Sequence, residues 1–169
     1  MKITWFGGHC LRFHIGGEIV VFDPMDGGPP DTDHSEVVSG ADQVLEWAGP
    51  FGNADAKTWR PRRTRALEAS NRGGVQVYFI GFDTRLVDAA GEPPLVLMGS
   101  IEEAGSWSRE AVVVAFSLAG ALGALNVLSP RLIALALPEA DLDHAITKLS
   151  GRLDSTSLVS LEPGLALEV

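Results

Sequence analysis

MKITWFGGHCLRFHIGGEIVVFDP, residues 1–24, is the stretch whose reading decides the fold. Ile3 to Phe6 and Leu11 to Ile15 are short runs rich in β-branched and aromatic residues, separated by Gly7-Gly8-His9. Gly16-Gly17 supplies a second turn, and Glu18 to Phe22 forms a third apolar run that stops at Asp23-Pro24. Proline has no N–H to give to a ladder, so it closes the strand. The opening is predicted to be a β-meander with glycine turns.

Outward from there, residues 26–35 are loop by composition, and so are residues 49–63. Between them Val44 and Leu45 fit the end of either a short strand or a helix. Thr64 to Ser70 reads as a short helix stopped by Asn71-Arg72-Gly73-Gly74. Val75 to Phe82 is the clearest strand, and Thr84–Val87 with Leu95–Met98 suggests a hairpin. Val112–Phe116, Ser117–Leu128 and Leu132–Leu137 read as strand, helix and strand, with Ser129-Pro130 ending the helix. Two buried strands joined by a helix imply a parallel crossover. Asp141 is placed as an N-cap, with Leu142, Ala145, Ile146 and Leu149 on one helical face. Leu158–Leu161 and Leu165–Val169 are expected to pair as a last hairpin over Glu162-Pro163-Gly164. The expectation is an α/β sandwich over residues 1–169 as a single domain.

Composition bounds the function. The chain has 169 residues, 46% of them hydrophobic, which suits a filled core. Its formal net charge of −9 argues against nucleic acid or an anionic membrane surface as partner. Arg60, Arg62, Arg63 and Arg65 run against that balance; they read as a solvated helix start rather than an anion contact. The single cysteine, Cys10, excludes an intrachain disulfide and a cysteine-rich zinc module, and its apolar strand predicts burial. Ala111 to Leu128 is free of charge, near the lower limit of roughly 17–20 residues for a spanning helix. Its valine run, its glycines and Asn126 favour a buried strand and helix instead. The N-terminus carries no cleavable apolar core, so a cytoplasmic location is expected.

The order and spacing of residues 1–13 and 16–24 resemble a branch of the metallo-β-lactamase superfamily, the metal-dependent hydrolases similar to the ascorbate-6-phosphate lactonase. Ala41-Asp42-Gln43-Val44-Leu45 resembles the strand that leads into that family's metal loop. Residues 75–100 resemble its hairpin ending in Gly-Asp, residues 112–137 its strand–helix–strand, and Glu162-Pro163-Gly164 its C-terminal turn. The resemblance implies a reduced αββα sandwich of the metallo-β-lactamase type, bacterial-type lactonase-like relatives and commonly oligomeric assemblies.

The departures from that pattern are as informative as the matches. Where the family has His-x-His-x-Asp-His, this chain reads Ala48-Gly49-Pro50-Phe51-Gly52-Asn53. The bridging aspartate falls at Ser100 and the late histidine at Leu137. The histidines are His9, His14, His34 and His144, none of them at these positions. Zinc-type catalysis needs about three protein ligands and an open position, so the resemblance implies a degenerate site with no metal expected.

The residual candidates are few. Asp23 matches the family aspartate beside the metal loop and equally suits a turn cap. His9 and Asp23 are the weak catalytic candidates, as a general-base pair or a structural hydrogen bond. Asp31, Asp33 and His34 are the weak metal candidates, in a loop that otherwise reads as solvated and acidic. His9 and His14 are expected on opposite faces of a strand, and His144 on the surface. Two functions follow. The first is a non-catalytic, metal-free protein that binds itself, as a homodimer, or another protein. The second is a lactone, ester or phosphodiester hydrolase rebuilt around Asp23 and His9, using zinc or manganese. A homodimer through the apolar helix at 117–128 or an open strand edge is the interaction-only variant.

Overall fold

A computed structural model describes residues 1–27, 33–62 and 74–169 of the chain. The first sheet starts from the meander. β1 (Lys2–Gly7), β2 (Cys10–Ile15) and β3 (Glu18–Phe22) are antiparallel neighbours. Alternation sets its two faces: Ile3, Trp5, Leu11, Phe13 and Ile15 turn into one core, while Thr4, Arg12 and His14 do not. Cys10 and Val21 face the other way, under the short helix α1 (His34–Val38). Arg12 holds that helix by donating to the carbonyls of Val37 and Ser39 at 2.5 and 2.8 Å. β4 (Gln43–Leu45) then lies parallel to β3, so Val44 and Leu45 belong to a strand.

The second sheet begins with β5 (Gly52–Asn53), then β6 (Gln76–Gly81), β7 (Thr84–Asp88) and β8 (Leu95–Met98). β6, β7 and β8 are antiparallel, as the hairpin reading requires. β9 (Val112–Ala115) and β10 (Leu132–Leu135) extend it in parallel, and every residue of β9 is buried. Helix α2 (Leu118–Val127) joins them, capped by the Ser117 hydroxyl accepting from Gly120 N at 3.0 Å. Gly120 lets the helix lie on the sheet, because a Cβ there would be 3.1 Å from the Met98 carbonyl. α3 (Glu139–Leu149) follows β10 and leads to β11 (Ser157–Ser160).

Two expectations need correction. α3 starts at Glu139 after Pro138, so Asp141 lies in its first turn rather than at its cap. Residues 157–169 form no hairpin. β11 joins the seven-stranded sheet beside β10, whereas β12 (Ala166–Glu168) pairs with β1 in the five-stranded sheet. The Pro-Gly turn therefore carries the chain from one layer to the other, tied by Gly164 N to the Trp5 carbonyl at 2.7 Å. β11 and β12 thus each become the edge strand of a different sheet, which local turn chemistry does not encode.

Among the described residues the five-stranded sheet has the order β12-β1-β2-β3-β4 and the seven-stranded sheet β11-β10-β9-β8-β7-β6-β5. One core fills the space between the sheets, around Phe13, Phe22, Leu95, Leu97 and Val114. A second lies between the larger sheet and helices α2 and α3, around Leu86, Ile133, Leu135, Ala124 and Leu149. Each fully buried large apolar side chain contributes about 1.5–3 kcal/mol, so these two layers dominate the stability. The result is a reduced αββα sandwich: helix, sheet, sheet, helices. No described helix is long and apolar enough to cross a membrane. The helix read at residues 64–70 lies outside the described residues.

Candidate functional site

The site is built where three chain segments converge. The β1–β2 turn places His9, the exit of β3 places Asp23 and Asp26, and the exit of β4 places Trp47. Glycine makes the approach possible: a Cβ on Gly8 would sit 1.9 Å from the Asp26 carbonyl oxygen, and one on Gly27 would sit 2.0 Å from that of Gly7. With no side chain at either position, the 23–27 loop closes on the turn. His9 Nδ1 then lies 2.7 Å from Asp26 Oδ2, and the His9 backbone N–H donates to the same oxygen at 3.2 Å.

Asp23 is turned to a different task. Its φ is +41°, and its Oδ1 accepts the Trp47 backbone N–H at 2.8 Å while its own N–H donates to Leu45 at 2.9 Å. Asp23 thus fixes the first residues after β4, where the family's metal loop would start. The expected pairing of His9 with Asp23 is found instead with Asp26. Asp23 remains close by: His9, Asp23 and Asp26 each offer one ligand atom within 4.8 Å of the others.

Beyond Asp23 the cleft is aromatic. Trp47 lies 4.5 Å, centroid to centroid, from the His9 ring and 5.6 Å from Phe116, which follows β9. Phe116 is also 4.8 Å from His9. Phe51 continues the cluster to Phe22 at 5.9 Å and Phe79 at 5.4 Å. Arg85, 4% exposed, lies over both the Trp47 and the Phe79 rings, with Cζ at 4.6 and 4.4 Å from their centroids. It donates through Nε and Nη2 to the Trp47 carbonyl at 2.9 and 2.7 Å. Asp83, in the β6–β7 turn, accepts from the Trp47 indole and lies 3.5 Å from Arg85 Nη2. Burial pushes the Arg85 guanidinium below its ordinary value, with Asp83 and Asp23 pulling the other way.

The donor set does not fit the pair of zinc-type ions that the fold implies. Positions 48–53 contribute Phe51 to the aromatic cluster rather than a ring of ligands. Ser100 serves the β8 exit through its backbone, donating to Phe82 and accepting from Thr84 Oγ1 at 2.9 Å. Leu137 is buried in the helix-side core and lines a groove of about 520 Å³ with Trp5, Leu142 and Leu161. The Arg85 guanidinium beside Asp83 also adds positive charge near Asp23. Asp23 has one oxygen bound by backbone, and the rest of the cluster is one imidazole and one carboxylate.

The other candidates lie apart from this cluster. Asp33 caps α1 by accepting from Ser35 N at 2.8 Å; the Ser35 side chain first, and then its N–H, lower the Asp33 carboxyl pKa, and His34 Nδ1 is 2.6 Å from the Pro24 carbonyl. Asp31 lies outside the described residues. His14 and His144 are exposed. Of the basic group, Arg62 is engaged rather than solvated: its Nε is 2.5 Å from Asp88 Oδ2, a carboxylate 1% exposed. Arg60 donates to the carbonyls of Lys57, Thr58 and Trp59, and Arg63 and Arg65 are outside the described residues. Sequence reasoning missed Trp47, Arg85 and Phe116 as one cluster. Trp47, two residues after β4, was within reach of the register argument; Arg85 was not, because its strand reads as core.

No family model matches the chain, and no curated protein matches it. Solved structures do, at the level of the fold. An isothiocyanate hydrolase from Delia radicum gut bacteria superposes with a TM-score of 0.58 at 11% identity, covering 99% of each chain. A protein described as a zinc-dependent hydrolase of the metallo-β-lactamase superfamily from Thermotoga maritima gives 0.52 at 17% identity, covering 96% of this chain and 99% of that one. A metallo hydrolase from the archaeon Ignicoccus hospitalis gives 0.53 at 13% identity, over 99% and 98%. The two-sheet architecture is that of these metallo-β-lactamase-type hydrolases.

Proposed function

We propose that this chain is a metallo-β-lactamase-fold protein that works without a catalytic metal, as a binding protein whose partner is a second copy of itself or another protein. One observation carries the reading. The segment after β4 sends Trp47 and Phe51 into a cluster with His9, Phe22, Phe79 and Phe116, and Arg85 lies over it as a fixed cation. Aromatic surface and a guanidinium replace the imidazoles and carboxylates that would lower the pKa of a bound water. Around that cluster the apolar surface continues outward: Met25, between Asp23 and Asp26, is 79% exposed, and Phe82, beside Asp83, is 84% exposed. Exposed side chains of this size beside a filled cleft suit protein recognition more than hydrolysis.

The test is metal content after purification without chelator, read with the oligomeric state by light scattering. Less than about a tenth of an equivalent of zinc, manganese or iron is expected. Near one equivalent of any of them, retained through dialysis, would overturn the proposal.

A second reading rests on a separate observation, the His9–Asp23–Asp26 group with ligand atoms within 4.8 Å. It makes the protein a hydrolase of a lactone, ester or phosphodiester, with His9 as base oriented by Asp26 and one weakly held zinc or manganese. The neighbours of similar fold, described as hydrolases, support that class without naming a substrate for this chain. Activity that appears with added metal and disappears in both His9→Ala and Asp23→Asn would favour it over the binding role.

A further inference from the structure

At the edge of the larger sheet remote from the aromatic cluster, three arginines come together. β9, β10 and β11 are parallel neighbours, so their starts lie side by side. An arginine precedes each start: Arg109 in the 3-10 turn at Ser106–Glu110, Arg131 directly before β10, and Arg152 in the turn at Ser150–Arg152. The three line one cavity of about 430 Å³, with Ser129, Ser155 and Thr156. That is a volume suited to a small molecule. Phe116 lies past the opposite ends of the same strands, so this cavity and the aromatic cluster are separate places.

The three arginines are exposed, and two features single out the cavity they line. The chain has 13 Lys and Arg against 22 Asp and Glu, so carboxylates are in excess for pairing. Yet none of the Arg109, Arg131 and Arg152 side chains makes an ion pair or hydrogen bond among the described residues, whereas those of Arg12, Arg60, Arg62 and Arg85 all do. The Ser155 hydroxyl is likewise without a hydrogen bond among the described residues. By contrast the surrounding backbone is satisfied: Arg131 N donates to Ala111, Ser157 N to Arg131, and Thr156 Oγ1 to Pro130. Three exposed arginines lining one cavity, with no protein acceptor for their guanidinium groups, are a recognition arrangement for an oxyanion such as phosphate.

Glu110 and Asp154 also line the cavity. They leave it with a small excess of positive charge, which disfavours a polyphosphate. As acceptors they match hydroxyl groups attached to the anion.

We propose that this cavity binds a small phosphate monoester bearing hydroxyls, of the sugar- or glycerol-phosphate type, with Arg109, Arg131 and Arg152 on the phosphate and Glu110 and Asp154 on the hydroxyls. Inorganic phosphate shares the first half of that chemistry. The site is independent of the reading given to the aromatic cluster and stands whether or not that cluster binds metal.

The experiment titrates the whole chain with glycerol 3-phosphate, glucose 6-phosphate, inorganic phosphate and unphosphorylated glucose, followed by 31P line broadening and calorimetry. Saturable binding of at least one ester is expected, about tenfold or more tighter than inorganic phosphate, with no binding of glucose. Arg131→Gln and Arg109→Gln should each weaken it at least tenfold, and Lys57→Gln, on an exposed ion pair outside the cavity lining, should leave it unchanged. Circular dichroism and melting temperature confirm that these surface variants fold; Ser155→Asp, which adds negative charge to the cavity, provides a second disruption. Absence of saturable binding, or binding unaltered in the Arg109→Gln/Arg131→Gln double variant, would overturn the proposal. Equal affinity for ester and inorganic phosphate would overturn the assignment of an ester.

Discussion

The Arg85 guanidinium stacks on the Trp47 ring at 4.6 Å and also donates twice to the Trp47 backbone carbonyl, so one buried cation fixes both the side chain and the main chain of the residue that fills the cleft. Arg85→Leu is expected to leave that carbonyl unpaired and to strand Asp83 and Asp23 without their cation, costing about 2–4 kcal/mol. Arg85→Lys keeps the charge but loses the fork, and is expected to recover about half of that. Urea unfolding followed by circular dichroism checks both. A loss below about 0.5 kcal/mol in Arg85→Leu would mean that Trp47 is held by its aromatic neighbours alone.

Asp23 separates a structural carboxylate from a chemical one. Its φ of +41° is a conformation that Asn tolerates, and an amide oxygen can still accept the Trp47 N–H. Asp23→Asn is therefore expected within about 0.5 kcal/mol of the parent. Asp23→Ala, which removes the acceptor and puts a plain Cβ at positive φ, should cost about 2 kcal/mol. Comparing the two by thermal unfolding gives the answer. Equal losses in both variants would show that the negative charge, through Arg85, matters more than the hydrogen bond.

The sequence carried the meander of β1–β3 and the strand–helix–strand unit because their signals are local: alternation over residues 3–22, a wholly apolar β9 and a proline stop. It failed at residues 157–169, where a Pro-Gly turn looks the same whether its flanking strands pair with each other or with two different sheets. The site shows the same division. The ligand-poor positions 48–53, 100 and 137 come only through the family resemblance, whereas the proximity of His9 to the β3 exit was legible in the residues themselves. That Asp26 rather than Asp23 meets His9 depends on the close approach of Gly8 and Gly27, and the part of Arg85 depends on which face of β7 looks toward Trp47. Both are tertiary facts.

Cys10 gives a pH prediction with a definite sign. It is 1% exposed, and its thiol is pushed up to about 11, first by burial and then by the charges of Asp23 and Asp26. The folded state holds the proton more tightly than the unfolded state, whose thiol has the ordinary value of 9.0. The stability this contributes is fully present below pH 9 and is lost as pH rises toward 11, a decrease of up to roughly 3 kcal/mol. Lysine and tyrosine titrate in the same range, so the measurement is the difference between the parent and Cys10→Ala in urea midpoint from pH 8 to 11. Parallel curves would show that Cys10 is not the group responsible.

Gly8 is where the backbone itself makes the His9–Asp26 contact possible, and a paired substitution isolates that role. Gly40 has the same need for positive φ, +67°, but a Cβ there meets nothing within 4 Å. Gly40→Ala should thus show the conformational cost alone, about 1–2 kcal/mol. At Gly8 the added methyl would lie 1.9 Å from the Asp26 carbonyl oxygen, a backbone atom that can move only with its loop. Gly8→Ala should exceed Gly40→Ala by a further 1–2 kcal/mol or so, and displacement of the 23–27 loop should separate His9 Nδ1 from Asp26 Oδ2. Denaturant unfolding measures the first expectation and the imidazole resonances of His9 measure the second. Equal costs at the two glycines, with the His9 signals unmoved, would show that the 23–27 loop is loose enough to step aside, and that the His9–Asp26 pair does not depend on the bare backbone at position 8.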